Sequence, residues 1–146
     1  MKSARRRSRE FAVQGLYQWQ INAVDPTLIA DDLMQAKGFA EADEKHFRAL
    51  LHGVIGDADD LHAQLSKCID RPIKELSPVE HAILLVGAFE LKHHIEIPYR
   101  VVINEAVELA KTFGGTDGFK YVNGVLDKLA PNLRAVETAE SRAGRR

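Results

Sequence analysis

Five cations, Lys2, Arg5, Arg6, Arg7 and Arg9, crowd the first ten residues of the chain. The same stretch has the pattern of the first two turns of an amphipathic helix. The partial positive charge of a helix N-terminus disfavours each cation there by about 0.3–1 kcal/mol at low salt. Local rules are broken mainly where function requires it, and the simplest requirement is an anionic partner, above all nucleic acid. At about 100° per residue, Lys2, Arg6, Arg9, Val13 and Tyr17 fall within about 80° of one another, apart from a core stripe of Ala12, Gly15, Leu16 and Trp19. The row is about 22 Å long and ends in an aromatic ring, enough to follow a few nucleotides of backbone and stack one base. Arg5 and Arg7 flank it, and Gln14 lies beside it as donor and acceptor for a base edge. The competing reading is a solvated helix end, with Tyr17 as half-buried packing.

A smaller set lies further on. Lys120, Gly124 and Lys128 share a helix face with Tyr121 at its edge, again cations beside an aromatic, with room for close approach at the glycine. Groups suited to catalysis are sparse. His93 and His94 fall in the last turn of a helix, where the dipole favours histidine. His46 and His52 lack the spacing of a metal site, and no His-Glu-x-x-His pattern occurs. Cys68 reads as a small buried hydrophobe. Asn104 and Asn123, each inside a helix, are expected to bridge neighbouring helices through buried hydrogen bonds. P-loop, G-x-G-x-x-G and G-x-S-x-G patterns do not occur. The residues point to binding and not to an enzyme, with no metal and no cofactor.

The balance of the whole chain sharpens this. Net charge is −1 over 146 residues, so the basic character is local, which argues for a defined site and against coating a polyanion through bulk charge. A hydrophobic fraction of 45% beside 28% charged residues excludes general disorder. The length fits one domain that buries roughly 70% of its unfolded surface. A single cysteine excludes an intrachain disulfide and makes a cytoplasmic location the natural expectation. The basic start is not followed by the apolar core of a signal peptide. The most apolar stretch, Ala82 to Leu91, is about half the length needed to span a bilayer and sits between Glu80 and Lys92.

These residues must be positioned by helices, for no strand alternation or two-residue hairpin signal is present. Ser3 caps a first helix to about Asn22, and Asp25-Pro26 marks a turn. A short helix over 27–37 ends at Gly38. Apolar spacing continues from Glu41 to Ile69 as one helix or two, since Gly53 and Gly56 can bend it. Ser77-Pro78-Val79-Glu80 combines a capping box with a first-turn proline, and the residues that follow are apolar almost all round, as a central helix requires. Pro98 opens a further helix, ended by Gly114-Gly115. Thr116 or Asp117 caps the last one, with Phe119, Val122, Val125, Leu126 and Leu129 inward and Pro131 closing it. The result is an all-α, compact helical domain of about seven helices over residues 1–136. Its halves are an N-terminal subdomain at 1–70 and a C-terminal one at 77–131, followed by a mobile tail at 137–146.

Three segments, in order, carry a resemblance: Ala4–Glu10 with Ala12, Leu16 and Tyr17; Pro98–Lys111; and Lys120–Lys128. Together they closely resemble the NusB family of bacterial transcription antitermination factors, over the chain from its start to about Pro131. The resemblance implies an all-helical protein of two helical subdomains that binds the boxA element of nascent RNA together with NusE, a ribosomal protein. The complex joins RNA polymerase and other Nus factors to resist termination, notably on ribosomal RNA operons. It assigns RNA binding to Lys2, Arg5, Arg6, Arg7, Arg9 and Tyr17, and to Lys120 and Tyr121, where some relatives carry Phe in place of Tyr121. The protein partner is assigned to the surface before the central helix and its first turn, at Glu75 and Glu80. Two alternatives stay open: a module serving an RNA 5-methylcytosine methyltransferase, against which no methyltransferase motif follows Pro131, and a domain whose arginines meet only an acidic protein.

Overall fold

The structure is a computed structural model and describes residues 2–115 and 117–144. Eight α-helices account for most of them: α1 (Ala4–Asn22), α2 (Pro26–Met34), α3 (Glu44–Gly56), α4 (Ala58–Ser66), α5 (Pro78–His93), α6 (Tyr99–Phe113), α7 (Gly118–Leu133) and α8 (Ala135–Ala143). Short 3-10 turns occupy Phe39–Glu41 and Ile73–Glu75. No strand occurs among the described residues.

Side-chain caps set the starts of α1, α2, α3 and α5. Ser3 accepts from the Arg6 amide, Asp25 from Thr27, Asp43 from His46 and Ser77 from Glu80, each satisfying a donor that the first turn leaves without a partner. Gly38 takes a φ of +89°, the left-handed region open to glycine, just before the first 3-10 turn. The stretch from Glu41 to Ile69 is two helices, and the break falls at Asp57. Gly53 does not bend the chain. It lets α3 approach α5, for a Cβ there would stand 2.3 Å from Phe89 Cζ. Thr116 lies outside the described residues, and Asp117 occupies the cap position of α7 without a side-chain cap bond. Pro131 sits inside α7, which runs on to Leu133.

Helix α5 packs against α1, α3, α4, α6 and α7. Its residues from Ala82 to Leu91 are all buried, because a helix that is apolar on every side is stable only when surrounded. Each fully buried Leu or Ile there contributes roughly 1.5–3 kcal/mol. Helices α1 to α4 gather on one side and α6 to α8 on the other, and the buried side chains of both groups form one cluster.

The expected tail is corrected over residues 137–143, while residues 145 and 146 lie outside the described residues. Residues 135–143 form α8, which packs on α7. Arg134 anchors it: the guanidinium is buried and donates to the carbonyls of Glu90, Leu91, His94 and Ile97. One side chain thus gathers two carbonyls of the last turn of α5 and two of the loop that follows it, adding donors where the helix end runs short of them. Glu137 completes the dock, pairing with Arg134 and accepting from the Tyr99 amide at 2.8 Å. Apolar patterning cannot reveal a helix held by a buried arginine.

Candidate nucleic-acid interface

The first turns of α1 divide their cations between two environments. Arg9 is 3% exposed, and its guanidinium donates to Glu90 through Nε at 2.9 Å and Nη2 at 3.0 Å, and to Glu105 through Nη1 at 3.2 Å. Glu90, itself 1% exposed, also meets His46 Nε2 at 2.9 Å. Burial alone would push the Glu90 carboxyl up, but the bonds from His46 and Arg9 outweigh it and hold it below its ordinary value. Arg9 has no face left for a phosphate. Its assignment to RNA binding is corrected to a buried ion pair that ties α1 to α5 and α6. Val13 is buried beside it, so the core face of α1 is wider than the apolar stripe alone suggests, taking in Ser8, Arg9 and Val13.

The other cations stay on the outside. Lys2 pairs with Glu10 at 2.7 Å, Arg7 with Glu41 at 3.1 Å and Arg5 with Asp43 at 3.9 Å. Arg6 donates to Glu105 at 2.7 Å, a bond that, against the cost of burial, raises its pKa further. All four side chains keep solvent-exposed surface. The exposed pairs of Arg5 and Arg7 are worth about 0–1 kcal/mol, so a phosphate can displace the carboxylate there at little cost, whereas Arg6 is held by three part-buried bonds to Glu105.

Two turns beyond the buried pair, Tyr17 is 41% exposed. It stands at a cleft of about 360 Å³ formed with Val13, Gln14, Gln18, Val79 and Phe113. An exposed aromatic over a mostly apolar cleft, beside an exposed amide at Gln14, can take a flat base on the ring and meet its edge with hydrogen bonds. Phe113, Val79 and Gln18 gave no sign in the sequence of belonging here, since each reads as packing or as polar surface.

The start of α5 links this cleft to α7. Gln20 Nε2 donates to the Pro78 carbonyl at 3.1 Å, and the Glu80 carboxylate turns toward α7, with Oε1 standing 2.9 Å from where a Gly118 Cβ would lie. One turn on, the Tyr121 hydroxyl donates to Asp70 at 3.3 Å and Arg71 lies over its ring at 4.7 Å. Burial, then Asp70, pushes the Tyr121 hydroxyl up, while Arg71 chiefly holds Asp70 down. Lys120 is exposed and pairs with Asp117 at 3.3 Å. Glu75 is exposed and Glu80 half-buried.

Two other expectations change. Asn104 and Asn123 are exposed and bridge no helices; they line a polar cleft of about 220 Å³ with Arg100, Asp127 and Arg142. His46, with Glu90 and His94 one helical turn apart and more than 40 residues further on, brings ligand-type atoms within 4.8 Å of one another. The Arg9 guanidinium already occupies the Glu90 oxygens, so that cluster is built around a cation of the protein's own. His93 bonds Asp57 at 2.8 Å, a partner beyond the helix dipole. No helix of the described residues is long and apolar enough to cross a membrane.

The NusB family model matches residues 6–131. The chain belongs to the NusB family. It is 63% identical over 142 residues to the transcription antitermination protein NusB of Paraburkholderia phytofirmans, covering 97% of this chain and 99% of that protein. It is 62% identical to the protein of the same name from Ralstonia nicotianae, over 97% of this chain and 91% of that one. Among solved structures, T. maritima NusB superimposes with a TM-score of 0.79 at 27% identity, over 89% of this chain and 92% of that chain. A chain from the crystal structure of antitermination factors NusB and NusE with double-stranded RNA shares the fold, with a TM-score of 0.76 at 20% identity over 87% and 96% of the two chains.

Proposed function

We propose that this chain is a non-enzymatic RNA-binding factor in transcription antitermination, which binds the boxA element of nascent ribosomal RNA in the cytoplasm together with NusE. In that role it helps RNA polymerase and other Nus factors resist termination. The observation that carries the reading is the outer edge of α1, where Lys2, Arg5, Arg6 and Arg7 keep exposed charge and the helix leads on to an exposed Tyr17 over its cleft. Lys120 and Tyr121 extend the edge onto α7, and Glu75 and Glu80 sit where the protein partner would meet it. Residues 1–70 and 77–131 act as two helical halves of one domain, with α5, the first helix of the second half, packed against both. Membership of the NusB family supports the assignment over a methyltransferase module.

The test is binding to a boxA oligonucleotide and to a scrambled one, with and without NusE, across a range of salt. Lys2, Arg5, Arg6, Arg7 and Lys120 together neutralise about five phosphates, for which log K against log salt falls with a slope near −3.5 on a single strand. Preference for boxA that rises with NusE is expected. A slope near zero in both conditions would instead identify a domain that meets only proteins.

A further inference from the structure

Where α1, α4 and α5 meet, two imidazoles face each other. His62 on α4 and His81 in the first turns of α5 approach Nε2 to Nε2 at 2.8 Å, and His81 Nδ1 lies 2.7 Å from Gln20 Oε1. The proton positions follow from one fixed bond. The Pro78 carbonyl only accepts, so the Gln20 amide nitrogen must point to it, at 3.1 Å, and its oxygen must point to His81. An amide oxygen also only accepts, so His81 carries its proton on Nδ1 and presents the Nε2 lone pair to His62. Metal-binding histidines are oriented in this way, with the second ring nitrogen donating to a fixed acceptor.

The surroundings favour the neutral, ligand form of both rings. Burial pushes His81 down to about 4, with the neighbouring His62 adding to the effect. Burial also lowers His62, against the opposing pull of Asp59. The pair opens on a cleft of about 670 Å³ that Trp19, Val24 and Asp25 help to line, with room for water or a further ligand.

We propose that His62 and His81 form a two-imidazole binding site for a divalent transition-metal ion of the zinc and copper class, with cleft water completing the coordination. Imidazole suits these ions, and copper binds most tightly in the divalent series. Nitrogens at about 2.0–2.1 Å from a tetrahedral ion stand about 3.3 Å apart, so the rings need to part by about 0.5 Å from their present contact and turn until both Nε2 lone pairs aim at the ion and no longer at each other. His62 moves its proton from Nε2 to Nδ1 through cleft water, leaving its charge unchanged. The site differs from the cluster of His46, Glu90 and His94, where the Arg9 guanidinium stands beside the carboxylate. It is independent of RNA binding.

Trp19 is the only tryptophan and helps to line the same cleft, so an ion bound there lies beside the chain's one indole emitter. Titrating the full chain with Cu²⁺ in the absence of RNA is expected to quench its fluorescence saturably at one ion per chain. Zn²⁺ should compete, restore the emission and raise the melting temperature. Quenching should disappear in His62→Gln and in His81→Gln, weaken about tenfold or more in Gln20→Leu, and persist in His52→Gln and His93→Gln, both exposed, one on α3 and the other about three turns beyond His81 on α5. Circular dichroism checks that each variant is folded, and His62→Gln decides the matter if His81→Gln unfolds. Saturable quenching that survives in a folded His62→Gln chain, or no quenching in the unaltered one, overturns the proposal.

Discussion

Arg9 and Arg7 stand two residues apart on the same helix and are chemically identical, yet one is buried between two carboxylates and the other lies at the surface beside Glu41. Arg9 ties α1 to α5 and α6 from inside. Arg7, with Lys2, Arg5 and Arg6, leaves charge facing solvent, where it is exchangeable. A basic run is therefore not one feature, and the helical repeat sorts its members into structural and ligand-facing roles according to what packs against each face.

The sharpest way to break this contrast is to remove Arg9. Arg9→Ala leaves Glu90 buried with its main cation gone, and stability in urea is expected to fall by about 3–5 kcal/mol. A loss below about 1 kcal/mol would put Arg9 with its exposed neighbours. The acid limb tests the same cluster. Because the folded Glu90 carboxyl is held below its ordinary value of 4.5, its contribution is complete above that pH and is lost as pH falls through the lower folded value. Urea midpoints measured from pH 5 to pH 3 should therefore drop more steeply in the unaltered chain than in Arg9→Ala.

Tyr17 probes the outer side. Tyr17→Ala is expected to weaken RNA binding by about 1–3 kcal/mol in filter or fluorescence titrations with little change in melting temperature, since the ring is already partly exposed. Unchanged affinity would return it to packing. A smaller and more specific effect is expected from Arg5→Ala with Arg7→Ala: less than about 1 kcal/mol of stability for each exposed pair, and a salt slope shallower by about 1.4, as two lost phosphate contacts require. Lys120→Ala should change the slope by about 0.7, and no change there would confine the interface to α1.

Helix order was legible in the chain because local rules act within a few residues. Ser3, Ser77 and Pro78 announced their helix starts, and the unbroken apolar run from Ala82 announced the buried α5. Tyr17 was legible as a candidate because its position on the wheel separates it from Ala12 and Leu16. Arg9 was misjudged because it lies at the border of the basic row, nearer on the wheel to Leu16 than to Arg6, and nothing nearby in sequence reveals that Glu90 and Glu105 converge on it. Helix α8 was missed because Arg134 reads as polar surface until the carbonyls at the end of α5 are placed around it. Asn104 and Asn123 were expected inside because amides within helices often pair there, but α6 and α7 present them outward.

By itself the sequence determined an all-helical domain, its central helix, the localisation of positive charge at its start and the resemblance to one family. The first three follow from periodicity, capping and composition, which are properties of short stretches, and the resemblance rests on the three matching segments Ala4–Glu10, Pro98–Lys111 and Lys120–Lys128. Only the tertiary structure decided which arginine is buried, that Tyr17 shares a cleft with Val79 and Phe113, that residues 135–143 are helix, and that His62 meets His81. Each of these depends on groups 19 or more residues apart being brought within bonding distance, and such encounters are set by how helices pack, which no local pattern records.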